Sequence, residues 1–107
     1  MLHYIDVIPA KTCVARHESL NILGGVANDG GAVTVDISVW GRASDTWERL
    51  ATNRTEIRAN EHKHIYFTLT PDCFSAERWH EEIEDIELIT DHEMPDADAR
   101  GVIIFVE

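Results

Sequence analysis

A turn followed by a strictly alternating segment lies near the middle of this 107-residue sequence. Residues Asn28 to Gly31 read Asn-Asp-Gly-Gly, and these residue types tolerate the positive φ angles of a tight hairpin turn. From Val33 to Trp40, valine or isoleucine occupies every second position. A period of two in β-branched residues is typical of a strand with one face on a core and one in water. The sequence therefore predicts a hairpin that leads into a central strand, with Trp40 on the outward face.

Other short segments have the same character. In His62 to Thr70, apolar residues at positions 65, 67 and 69 alternate with polar ones. Pro9 lacks the N–H that a ladder needs, so the first strand ends or changes partner there. Further strands are predicted at Leu2–Ile8, Thr12–Ala15, Leu20–Ala27, Trp47–Ala51 with Thr55 and Ile57 following, and Gly101–Glu107. Seven or eight short strands separated by turns predict an all-β, immunoglobulin-like β-sandwich of antiparallel strands. The length fits a single domain, residues 1–107.

One stretch, residues 75–89, is ambiguous between helix and strand. Ser75 is a residue type that caps helices, and apolar residues recur at helical spacing at Trp79, Ile83 and Ile86. The run Ile86, Leu88 and Ile89 instead favours a strand. We predict a short helical turn at Ser75–Glu81 and a strand from about Ile83 to Ile89.

The charge balance restricts the possible partners. Twenty Asp and Glu residues oppose nine Lys and Arg residues, giving a net charge of −11, and ten of the acids lie between Glu77 and Asp98. Binding to a phosphate backbone needs clustered cations, so we expect no direct nucleic-acid binding. The acids could form a repulsive, solvated surface, reflect a high-salt proteome, or face a basic groove on a partner, including by nucleic-acid mimicry.

Two further features bear on location. Apolar runs are too short to cross a bilayer and the first residues do not resemble a signal peptide, so we expect no membrane insertion and a cytoplasmic or virion location, or an extracellular one if the sequence is part of a longer protein. The cysteines Cys13 and Cys73 are either free buried thiols or a disulfide.

Candidates for chemistry are few. His62 and His64 fall on the same strand face and could ligate a divalent metal if His80, His92 or an acid completed the set. No motif places that third ligand, so the favoured interpretation is that both face solvent beside Tyr66. No nucleophile elbow or phosphate-binding loop is present. We therefore expect no catalytic site and no cofactor.

Aromatic residues beside arginines predict an interface. An exposed Trp40 near Arg42 and Arg49 would be a suitable anchor for a protein partner. Alternatively, Trp47 folds over Trp40 and covers it. The predicted interface residues are Trp40, Arg42, Trp47 and Tyr66.

The order of these pieces resembles a known family. Val14 to Ile22, Val26 to Gly31, Val33 to Trp40 and Ile57 to Pro71 are similar to the turn and strand pattern of CARDB modules, the adhesion-related Ig-like domains of bacteria and archaea. The resemblance implies an Ig-like β-sandwich and says almost nothing about function, because its motifs are turns and strands and carry no chemistry.

The predicted function is a non-catalytic structural or interaction module with protein partners. One hypothesis is a small protein that assembles on a larger particle, such as a capsid decoration or tail component of a virion. The alternatives are a module of a secreted adhesion or carbohydrate-active protein and an acidic inhibitor that mimics nucleic acid.

Overall fold

The computed structural model describes residues 1–15, 18–43, 46–70 and 85–107. These residues form eight strands: β1 Leu2–Pro9, β2 Cys13–Val14, β3 Leu20–Asn28, β4 Val33–Arg42, β5 Trp47–Ile57, β6 His62–Leu69, β7 Asp85–Asp91 and β8 Val102–Val106. The described ranges contain no helix, and so none that could cross a membrane. The helical turn predicted at Ser75–Glu81 and the first residues of the strand predicted from Ile83 lie outside these ranges. The rest of that strand is confirmed as β7.

The strands form two sheets, with the orders β1-β3-β6 and β2-β8-β7-β4-β5. The predicted all-β sandwich is therefore confirmed. Described pairs are antiparallel except that the two-residue β2 runs parallel to β8. This pair arises because the chain leaves the three-stranded sheet after Pro9 and joins the edge of the other sheet, as the proline indicates.

Strand β4 is central, as predicted, because it pairs with β5 on one side and β7 on the other. Ile37 and Val39 are buried, whereas Val33 is 37% exposed. The expectation that the whole apolar face of this strand is buried is wrong at Val33. Pairing with β7 begins only at Ser38, so the first half of β4 forms a two-stranded ribbon with β5.

The Asn28–Gly31 turn is not a hairpin. It carries the chain from β3 in one sheet to β4 in the other, and no glycine among the described residues has a positive φ. Asn28 is buried, and its Nδ2 donates to the carbonyls of Gly31 and Ile57 at 2.9 and 3.2 Å. The asparagine therefore ties this crossing to the end of β5. The left-handed conformation occurs instead at Asn60, with φ 60°, in the turn before β6.

The core lies between the sheets. Alternate residues of each strand fill it, and its members include Ile22, Val26, Ile37, Val39, Ile57, Ile65, Phe67, Leu88 and Ile104. Trp40 and Trp47 are buried but do not belong to this cluster. They lie on the opposite face of the five-stranded sheet.

Candidate functional site

Two tryptophans and two arginines form a ladder on the outer face of the five-stranded sheet. Trp40 of β4 pairs with Arg49 of β5, and Arg42 pairs with Trp47. The guanidinium carbon of Arg42 lies 4.5 Å from the centre of Trp47, and that of Arg49 lies 4.8 Å from Trp40. These are cross-strand cation–π contacts. We call these four residues the tryptophan–arginine ladder.

The ladder is covered by the chain itself. Trp40 and Trp47 are each 6% exposed. The segment 92–100 between β7 and β8 crosses the ladder, where Trp47 Nε1 donates to the carbonyl of Asp96 and Arg42 donates to those of Ala97 and Ala99. Of the two alternatives for Trp40, the exposed interface anchor is therefore wrong. Trp40 does face outward, but Arg49 lies over its ring, because a large apolar side chain on a sheet face is stabilised by cover.

Arg42, which donates to the covering segment, also forms an ion pair with Glu87 of β7. Its Nη2 lies 2.5 Å from Glu87 Oε1, and the two side chains are only 14% and 17% exposed. Glu87 Oε2 accepts a hydrogen bond from the Gly101 N–H at 2.9 Å. Burial acts to raise the pKa of Glu87, but the Gly101 N–H and the Arg42 guanidinium outweigh it, and the pKa lies below its usual value. Arg42 thus connects β4, β7 and segment 92–100, and is not available as an exposed interface residue.

The outer face of the three-stranded sheet is open. Tyr66 projects outward from β6 and is 76% exposed. Pairing through β3 aligns it with Leu23 and then with Ile8 of β1, so these side chains lie side by side. We call Ile8, Leu23 and Tyr66 the tyrosine row. Beside it, Gly25 has no side chain, and a Cβ there would lie 2.2 Å from a carboxylate oxygen of Asp6.

The two histidines flank the same face. His62 and His64 are both exposed and their ring centroids are 5.2 Å apart, so the predicted shared face is confirmed. Within the described part of the chain, no three His, Cys, Asp or Glu side chains are grouped to hold a metal ion. His80 lies outside that part. His92 instead has its Nδ1 2.6 Å from the Tyr4 hydroxyl and stacks on the Tyr4 ring.

Cys13 is exposed, and its thiol donates to a carboxylate oxygen of Glu107 at 3.0 Å. That hydrogen bond is the main cause of a raised pKa for the Cys13 thiol. The expectation that this cysteine is buried is wrong. Cys73 lies outside the described residues.

A cleft of about 250 Å³ was not foreseen from the sequence. It lies between β1 and the ends of β7 and β8, and its walls include Tyr4, Thr90 and Arg100. These residues are far apart in the sequence and match no motif, so only the packing of the two sheets brings them together.

No protein-family model matches the sequence, and neither does any curated protein sequence. The fold is similar to part of several solved β-glucosidases. EmGH1 from Erythrobacter marinus matches with a TM-score of 0.79 and 14% identity over 100% of this chain and 15% of that enzyme. A β-glucosidase involved in saponin metabolism from intestinal bacteria matches with a TM-score of 0.76 and 14% identity over 100% of this chain and 16% of that enzyme.

The β-glucosidase of Listeria innocua, solved with gluconolactone, gives a TM-score of 0.66 and 18% identity over 99% of this chain and 16% of the enzyme. The chain thus spans about 15% of the length of such enzymes. At this identity the likeness shows the fold alone: a small all-β domain that also occurs as one part of larger chains.

Proposed function

We propose that this chain is a non-catalytic β-sandwich module that acts through protein contacts as part of, or bound to, a carbohydrate-active protein. The observation that carries the proposal is the match of the whole chain to a β-domain that makes up about 15% of β-glucosidases. A domain that forms so small a share of an enzyme suits an accessory role, in which it packs against the other domains of the enzyme or positions them.

The tyrosine row is the surface that suits such contacts. Tyrosine offers a large ring with a polar end and is enriched in protein interfaces. Tyr66 is held on a strand, and its backbone carbonyl accepts a hydrogen bond from Asn53 at 3.2 Å. Beside the row, Gly25 is buried under the Asp6 carboxylate, so the accessible surface is the row itself. On the opposite outer face, segment 92–100 covers the tryptophan–arginine ladder, and the exposed apolar side chains there include Ile103 and Phe105 of β8.

Crosslinking from this row tests the proposal. A photo-crosslinking phenylalanine analogue would replace Tyr66 in one variant and Arg54, which is exposed on the other sheet, in a matched control. We expect position 66 to capture a glycoside-processing protein, identified by mass spectrometry, and position 54 to capture much less. Capture of capsid or tail proteins would support the particle hypothesis instead. Capture of a nuclease or DNA-binding protein would support the inhibitor hypothesis.

Truncating the tyrosine should separate binding from folding. Because Tyr66 is 76% exposed, Tyr66→Ala should change the free energy of unfolding by no more than about 0.5 kcal/mol while weakening retention of the partner. Arg54→Ala serves as the control, and we expect it to keep both the free energy of unfolding and the retention of the partner. Urea unfolding followed by tryptophan fluorescence and a pull-down measure the two effects. Unchanged retention in Tyr66→Ala would remove the tyrosine row from the interface.

Membership of the CARDB-like adhesion modules and assembly on a virion are further proposals. In each of them the module would bind other molecules through its surface, and the two proposals differ in the partner that is bound. A hydrolysis assay on aryl β-glucosides adds a further check, since we expect the 107-residue chain alone to show no turnover above buffer.

A further inference from the structure

The cleft exists because β7 continues to Asp91, whereas its pairing with β8 ends at Leu88. Strand β8 begins at Val102, which pairs with Leu88, so Ile89 to Asp91 have no partner on that side. Strand β1 lies opposite but belongs to the other sheet. The gap between them has a volume of about 250 Å³. This is smaller than the clefts of roughly 300–1,000 Å³ that hold drug-sized ligands, and it suits a ligand with a single ring.

Thr90 supplies a hydroxyl without a partner in a buried wall of the cleft. The residue is 1% exposed, and no hydrogen bond to its Oγ1 exists among the described residues. Buried polar groups are nearly always hydrogen-bonded, and an exception calls for an explanation such as a missing ligand or water. A hydroxyl can both donate and accept.

Arg100 supplies donors from another wall. Its Nη1 donates to the carbonyls of Asp98 and Ala99 at 3.3 and 3.1 Å. A guanidinium has five N–H groups, and the ion pairs within the described ranges do not include Arg100. Donors therefore remain for a ligand.

Tyr4 supplies a fixed aromatic wall. Its hydroxyl lies 2.6 Å from His92 Nδ1 and the two rings stack at 5.7 Å between centroids. Burial, followed by the charge of Asp91, raises the pKa of the Tyr4 hydroxyl, which keeps it protonated. Val7 and Ile89 also line the cleft, as does the acidic Asp6.

We infer that this cleft binds one small neutral polyhydroxylated molecule, of the size of a single sugar ring. Such a ligand presents hydroxyls that can accept from Arg100 and exchange hydrogen bonds with Thr90, while its C–H surface packs on Tyr4. An anion suits the cleft less, because the chain carries a net charge of −11 and an acidic field disfavours negative ligands. The cleft is distinct from the tyrosine row, so failure of crosslinking at Tyr66 does not bear on it.

A titration followed by amide NMR tests the inference. The ¹⁵N-labelled 107-residue chain would be titrated with D-glucose and, separately, with sodium sulfate. We expect glucose to give saturable shifts at amides that line the cleft, including Gly101 and Ile89, and sulfate to give none there.

Three variants complete the test. Thr90→Val keeps the shape, removes only an unpartnered hydroxyl, and should weaken glucose binding about 3- to 10-fold, as expected for one lost hydrogen bond. Arg100→Gln should weaken it about tenfold or more, because a charged donor is lost. Arg58→Gln changes an exposed arginine elsewhere and should bind as the unmodified chain does.

Three results would overturn the inference. Glucose could give no saturable shifts in the cleft. Sulfate could shift those amides while glucose does not, which would make it an anion site. Glucose shifts could also persist at full affinity in both Thr90→Val and Arg100→Gln, which would place binding elsewhere.

Discussion

Replacing Gly101 with alanine should lower the free energy of unfolding by about 3 kcal/mol, the upper part of the range for overpacked sites. A Cβ at this position would lie 1.9 Å from the carbonyl oxygen of Leu88 and 2.7 Å from its carbonyl carbon. These are backbone atoms of β7 and cannot rotate away as a side chain can. Relief requires the start of β8 to move, and this disturbs the hydrogen bond from the Gly101 N–H to Glu87.

Gly31→Ala is the matched control. Nothing lies within 4 Å of a Cβ built there, and its φ is not positive. We expect its stability to be unchanged or raised by up to about 1 kcal/mol, because alanine restricts the unfolded chain. Urea unfolding of both variants, monitored by circular dichroism, makes the comparison. An equal loss of unfolding free energy in Gly101→Ala and Gly31→Ala would contradict the close approach of Gly101 to β7.

Replacing Glu87 with glutamine should lower the free energy of unfolding by about 2–3 kcal/mol, somewhat less than the loss for breaking a fully buried ion pair. The change leaves the Arg42 guanidinium mostly buried, at 14% exposure, without its carboxylate. Asp36→Asn is the control: it breaks the exposed pair between Asp36 and Arg54, which should cost less than about 1 kcal/mol. A loss at Glu87 no larger than that at Asp36 would show that the pair does not hold segment 92–100.

The same pair predicts a dependence on pH. The pKa of Glu87 in the folded protein lies below its ordinary value of 4.5, so its contribution to stability is present above that value. As the pH falls through the folded pKa, this contribution is lost. Stability of the unmodified chain should therefore fall more steeply with acid than that of the Glu87→Gln variant. Parallel curves in urea unfolding from neutral to acidic pH would contradict the assignment.

Several local features were predictable from sequence because a strand's side chains alternate by geometry. The period of two in β6 correctly predicts that His62, His64 and Tyr66 face outward while Phe67 enters the core. Pro9 correctly marks where the first strand leaves its sheet. Each of these depends on neighbouring residues alone.

The candidate sites were less predictable, because they depend on contacts between distant residues. The Asn28–Gly31 turn has the residue types of a hairpin, yet it joins two sheets, since its strands find better partners elsewhere. Trp40 is on the predicted face, but Arg49 of the neighbouring strand lies over its ring. A segment some fifty residues later in the sequence contacts the other two members of the ladder, Arg42 and Trp47.

The residue pattern alone predicts an all-β chain, its central strand and the face on which each alternating side chain lies. The cover over the tryptophan–arginine ladder, the open tyrosine row and the cleft follow only from how the two sheets pack. The physical reason is that alternation is a property of one strand, whereas cover and cavities depend on the register between strands and on where each one stops. Strand β8 begins opposite Leu88, and that single non-local pairing leaves Thr90 and Arg100 beside an open cleft.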